Sequence, residues 1–160
     1  MTGLRAQLEA KQRRRLVQPI QITNPAADQQ VWMGVTAALQ LEQNKPAEDR
    51  SDAVVANLSK QLDDAWERVR SHYVDVELQS MPRDDWNAAM TEWQGEDGIN
   101  WPAALAPLIA ACCVDEDLRD PEWWRTQLEL DSWSEGDTNS LRMAVLALNV
   151  DGLDARLPKD

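Results

Sequence analysis

The sequence predicts a mainly α fold of six or seven helices: one long helical hairpin, a compact set of short C-terminal helices, and a short extended segment near the N-terminus. Three observations predict it. Apolar residues recur at three- and four-residue spacing in five segments. Cap residues precede those segments at Asn24, Ser51, Asn100 and Asp120, and Pro25 and Pro121 follow two of them in the first helical turn. One stretch only, LVQPIQI, reads as extended, because it is rich in Val and Ile and Pro19 removes a backbone donor, as edge segments tolerate.

Taken in order, TGLRAQLEAKQRRR holds helix formers with Leu4 and Leu8 four apart, which predicts a fraying helix. The extended LVQPIQI follows. Asn24 and Pro25 open a helix in which Val31, Val35, Ala38 and Leu39 share a face, and KPAEDR ends it. Ser51 opens the longest predicted helix, in which Val55, Leu58, Leu62, Trp66, Val69, Tyr73 and Val76 form one seam; Pro82 stops it. That seam suits packing on the preceding helix or on a second subunit. RDDWNAAMTEW is a short helix with Trp86, Met90 and Trp93 on one side, and GEDGIN is a turn. Asn100 caps WPAALAPLIAACCV, which Pro107 should kink or split. Asp120 and Pro121 open EWWRTQLEL, and a last helix is expected from about Asp137 to Asn149. The expected organisation is a basic N-terminal arm over 1–23, a single helical domain over 24–150 (hairpin 24–81, Trp-rich short helices 82–150), and a loose tail over 151–160.

Length and charge narrow the function. A chain of 160 residues can bury a core as one domain. Its net charge of −12 disfavours nucleic acid and anionic membrane as partners, and no apolar run approaches membrane-spanning length. The charge is uneven. Residues 1–15 carry five basic side chains (Arg5, Lys11, Arg13, Arg14, Arg15) against Glu9 alone. The remainder carries eleven basic and 27 acidic residues, a net of −16. The arm is therefore expected either to dock an acidic partner or a nucleic acid, or else to pack on its own acidic body or float free. No apolar segment follows the basic N-terminus, so no secretory signal is expected. Cys112 and Cys113 are neighbours and read as buried thiols in a reduced, cytoplasmic protein.

Most catalytic arrangements fail on residue count. One histidine, His72, excludes the zinc spacings, and no P-loop, dinucleotide fingerprint or G-x-S-x-G motif is present. DSWSEGDTNSLR places Gly136 where a calcium loop turns, but Trp133 and Arg142 occupy ligand positions. No catalytic residue, cofactor or metal is expected. The tryptophans remain. Trp32, Trp66, Trp86, Trp93 and Trp101 lie on or beside apolar stripes and read as core. Trp123 and Trp124 are adjacent and point about 100° apart on a helix. Trp124 shares a face with Leu128, which favours burial; Trp123 is the candidate partner anchor, and Trp133 in the next loop could cover one of the pair. The partner-binding candidates are Trp123 and Trp133 with Arg13, Arg14 and Arg15.

The order of LRAQLEAKQRRR, VDVELQSMPRDDW, EWQGEDGINWPAALAPLIAACCVDEDLRDPEWWRTQL and SLRMAVLALNV…PKD resembles the tail assembly chaperones of long-tailed bacteriophages that infect actinobacteria. The likeness spans most of the chain as a pattern of short motifs. It implies a non-enzymatic helper in the host cell cytoplasm that binds the tape-measure protein while tail tube protein polymerises, and that is not carried into the mature virion. Partners would be the tape-measure protein and the tail tube protein, with no nucleic acid and no membrane; the 51–76 seam by its own spacing leaves self-association open. A longer frameshifted form is also implied, with this chain as the shorter one. Two other readings stand beside it: an acidic nucleic-acid mimic or inhibitor of a host enzyme, and a structural head–tail connector or tail completion protein.

Overall fold

The structure is a computed structural model that describes residues 3–150. It is mainly α, with seven α-helices among the described residues and two small two-stranded sheets. The order is α1 (Leu4–Glu9), β1 (Arg15–Gln21), α2 (Ala26–Gln43), α3 (Asp52–Arg70), β2 (Tyr73–Gln79), α4 (Arg83–Glu92), β3 (Gln94–Gly95), β4 (Gly98–Ile99), α5 (Trp101–Cys112), α6 (Pro121–Leu128) and α7 (Glu135–Asn149), with a 3-10 turn at Glu116–Leu118 before α6. The expected tail over 151–160 lies outside the described residues. The described residues form two compact units, one of residues 19–75 and one of residues 3–18 with 76–150. These units cut across the expected arm, hairpin and C-terminal set.

The 19–75 unit is the hairpin of α2 and α3. Ser51 caps α3, its Oγ accepting from the Val54 N–H at 3.3 Å. Asn24 serves α2 through the Ala26 N–H at 3.0 Å. Trp32 and Trp66 meet across the seam with ring centroids 5.5 Å apart. The loop between the helices is closed by Glu42, a buried carboxylate that accepts the Ser51 N–H at 3.0 Å and pairs with Lys45 Nζ at 2.6 Å.

One expectation is overturned here. The long helix does not run to Val76 and Pro82 but stops at Arg70, and Tyr73–Gln79 is the strand β2. VDVELQ alternates apolar and polar residues strictly, the period of a strand, and Val76 and Leu78 are the buried pair. Two further differences are smaller. Pro107 sits inside an unbroken α5, and α7 begins before Asp137, where Ser134 and Asp137 form a reciprocal capping box. In the arm the expected order of helix and extended segment holds, but the helix covers only Leu4–Glu9 and the strand is Arg15–Gln21.

In the other unit α5 is the centre. Ala104, Leu105, Ala106, Leu108, Ile109, Ala110 and Cys112 are all buried, so this helix is apolar around most of its circumference, as a core helix is. It packs on α6 and α7, which bring Trp124, Leu141, Ala144, Val145 and Leu148 inward. Leu78 of β2 bridges Cys113, and the Val114 N–H donates to the Glu77 carbonyl at 3.0 Å, so the strand's buried end joins the core. Asn149 ties the end of α7 to the start of α4: its Oδ1 accepts from the Met81 N–H at 2.8 Å. Between α4 and α5 the β3–β4 hairpin turns on Gly98, whose φ of +114° is a backbone conformation that glycine adopts without penalty.

Candidate partner-binding sites

Trp123, Trp124 and Trp133 form one aromatic cluster on α6. Asp120 starts it by accepting the N–H groups of Glu122 and Trp123 at 3.0 and 3.2 Å, with Pro121 in the first turn. Adjacent helical positions send the two indoles in different directions. Trp124 is 1% exposed, and its Nε1–H donates to the Leu118 carbonyl at 2.7 Å, which satisfies the one polar atom its burial would orphan. Trp123 lies edge-on to it at 5.0 Å and remains 40% exposed. Trp133 is half-buried and covers Trp124 from the following loop at 6.1 Å. The cluster is thus a buried indole flanked by one that solvent reaches. A cavity of about 460 Å³ adjoins it, lined by Trp101 and Leu105 of α5, Arg125 and Leu128 of α6, and Glu135 and Arg142 of α7.

The three arginines part company. Arg15 pairs with Glu77 at 3.0 Å. Arg13 reaches the Ser80 carbonyl at 3.2 Å and Gln79 Oε1 at 3.5 Å. The Arg14 carbonyl accepts the Ser80 N–H at 2.9 Å, which anchors the arm's backbone. Arg13 and Arg14 line a second cavity, of about 730 Å³, and Arg15 does not. Trp123 and Trp133 line neither of the two cavities, so the aromatic and basic candidates form separate surfaces.

Other features were not legible in the sequence. The α2–α3 hairpin leaves Val31, Met33, Leu41, Val54 and Trp66 exposed, although Trp66 was expected in the core. His72 is bonded on both ring nitrogens. Its Nδ1 lies 2.6 Å from Thr23 Oγ1 and its Nε2 lies 2.7 Å from Asp28 Oδ2. A hydroxyl, an imidazole and a carboxylate in series is the arrangement that activates nucleophiles. Neither of the two cavities includes it, and here it ties the start of α2 to the residues after α3. Its members stand 44 and 49 positions apart, a separation that residue spacing does not reveal.

Cys112 and Cys113 are buried free thiols. Burial pushes the Cys112 thiol up, and burial with the neighbouring Cys112 pushes Cys113 up to about 12. Both are thiols at neutral pH, poor as nucleophiles and metal ligands. Among the described residues no group of three or more His, Cys, Asp or Glu side chains could hold a metal, and no helix is long and apolar enough to cross a membrane. Comparison with family models, with curated proteins and with solved structures finds no match to this chain.

Proposed function

We propose that this chain is a non-enzymatic assembly chaperone of a phage tail, acting in the host cell cytoplasm to bind and solubilise the tape-measure protein while tail tube protein polymerises around it. The observation that carries the reading is the open hairpin. Two packed helices have too little mutual surface to cover apolar side chains on both. On α3 only Ala65 and Val69 are buried, whereas five large apolar side chains of the pair are exposed. Met33 and Leu41, eight residues apart and so within a quarter turn of each other, are both exposed. An amphipathic client helix laid on such a surface buries its own apolar face, which is how helix-in-groove recognition keeps an aggregation-prone segment soluble. Trp123 adds a second anchor of the residue type favoured at interface centres. The sequence resemblance supplies the identity of the client, and the net charge of −12 suits a protein that must keep a complex in solution.

The test is co-expression with the tape-measure protein of a long-tailed phage of that kind. The soluble fraction of that protein should rise with this chain present and fall back with Met33→Asp/Leu41→Asp. Both positions are exposed, so the variant should keep its helical circular dichroism spectrum. A client whose solubility does not respond to the unsubstituted chain sinks the proposal.

A further inference from the structure

The second cavity has an unusual electrostatic character for this protein. Lys11, Arg13, Arg14 and Arg83 line it, and among the described residues no aspartate or glutamate does. The chain as a whole carries −12. Arg13 is held in place by Ser80 and Gln79. Lys11, Arg14 and Arg83 have no carboxylate within salt-bridge distance among the described residues, while Arg5, Arg15, Arg70 and Arg125 all do. Like charges gathered in one groove repel one another, and an acidic protein has many carboxylates with which it could have neutralised them. The floor is apolar: Trp86 and Leu148 are buried beneath the basic rim.

We infer that this groove is a docking site for an acidic peptide segment of a partner protein, with carboxylates on Arg14, Arg83 and Lys11 and an apolar side chain against the Trp86–Leu148 floor. The groove's volume, about 730 Å³, accommodates several side chains and far exceeds a single small anion. Guanidinium groups bind carboxylates in a two-pronged geometry, and Arg13, already fixed, lends its charge without a further ordering cost. The net −16 of the rest of the chain does not forbid the contact, because at physiological salt charges farther away than about 8 Å are largely screened. A nucleic acid fits less well. Its phosphates would extend past the groove onto the acidic surface, and Trp86, 9% exposed, offers no stacking platform for bases. This inference stands apart from the hairpin and from the identity of any client bound there.

The experiment uses the full chain and a fluorescent peptide of alternating aspartate and leucine, read by anisotropy. Saturable binding that weakens with added salt is expected. Arg14→Glu/Arg83→Glu should weaken it by roughly tenfold or more, since two charge-assisted contacts are reversed. Arg14→Lys/Arg83→Lys should keep most of it. Lys60→Glu/Arg68→Glu, an equal charge change on α3, should leave it nearly unaltered. Thermal melts of each variant establish that the fold survives. Four results would each overturn the inference: no saturable binding; equal loss in the α3 control; a single-stranded oligonucleotide that binds as tightly as the peptide; or binding that appears only after removal of residues 151–160, which follow directly from Val150 at the groove and would then be its occupant.

Discussion

Replacing Trp124 with alanine should be far more costly than the same change one residue earlier. Trp124 is 1% exposed, is flanked by Trp123 and Trp133, and donates its only polar hydrogen to the Leu118 carbonyl at 2.7 Å. Truncating a buried tryptophan costs about 3–5 kcal/mol through lost burial and the cavity left behind. For a chain of this size that is a fall in Tm of about 6–20 °C, at roughly 2–4 °C per kcal/mol. Trp123 is 40% exposed, so part of its surface is already hydrated, and its edge-on contact with Trp124 contributes about 0.5–1.5 kcal/mol. Trp123→Ala should therefore cost only about 1–2 kcal/mol. Trp124→Phe isolates the hydrogen bond: it keeps most of the apolar volume but leaves the Leu118 carbonyl without its donor, a loss of about 1–3 kcal/mol. Circular dichroism at the helical band is the suitable readout, because eight tryptophans would confuse fluorescence. The expected order of Tm is native, Trp123→Ala, Trp124→Phe, Trp124→Ala. Equal destabilisation by the two alanine variants would refute the division of this cluster into core and surface.

Three further outcomes are expected. Glu42 is held below its ordinary value of 4.5 by the hydrogen bond from Lys45 and that from the Ser51 N–H, so its contribution is full above that value and is lost as pH falls through the lower native one. Glu42→Gln should be less stable than the native chain at neutral pH, with the gap in denaturant midpoint closing in acid. The thiols behave in the opposite sense: their values are raised above 9.0, so the native state loses stability as pH rises past that value and unfolded thiols ionise. A thiol reagent at neutral pH should modify Cys112 and Cys113 slowly in the native protein and rapidly once it is denatured; fast native labelling would show that they are not buried. Asp120→Ala removes the acceptor of two N–H groups at the start of α6 and should cost about 1 kcal/mol by chemical denaturation, whereas Asp120→Asn should recover most of it.

Features that depend on neighbours along the chain were legible in the residue order. Helical spacing and caps placed α2, α4, α5, α6 and the start of α3 close to where they fold, and Ser51 and Asp120 act as the caps their types predict. The separation of Trp123 from Trp124 was also legible, since adjacent helical positions must diverge. Where two periods matched one stretch, local information was ambiguous. Tyr73 and Val76 continue the α3 seam at helical spacing, but residues 74–79 also alternate apolar and polar. The strand prevails because backbone groups at Glu77, Leu78 and Ser80 find partners at Val114, Cys113 and Arg14. Those partners lie tens of residues away and do not enter any local pattern. The same reason hid the His72 contacts, the exposure of Trp66 and the basic groove. Lys11, Arg13 and Arg14 were visible as a charged run, but Arg83 joins them only when the chain before β1 is pinned beside Ser80. Period and capping are properties of the chain within a few residues, whereas which charges share a groove and which apolar side chains stay open depend on what the fold brings beside them.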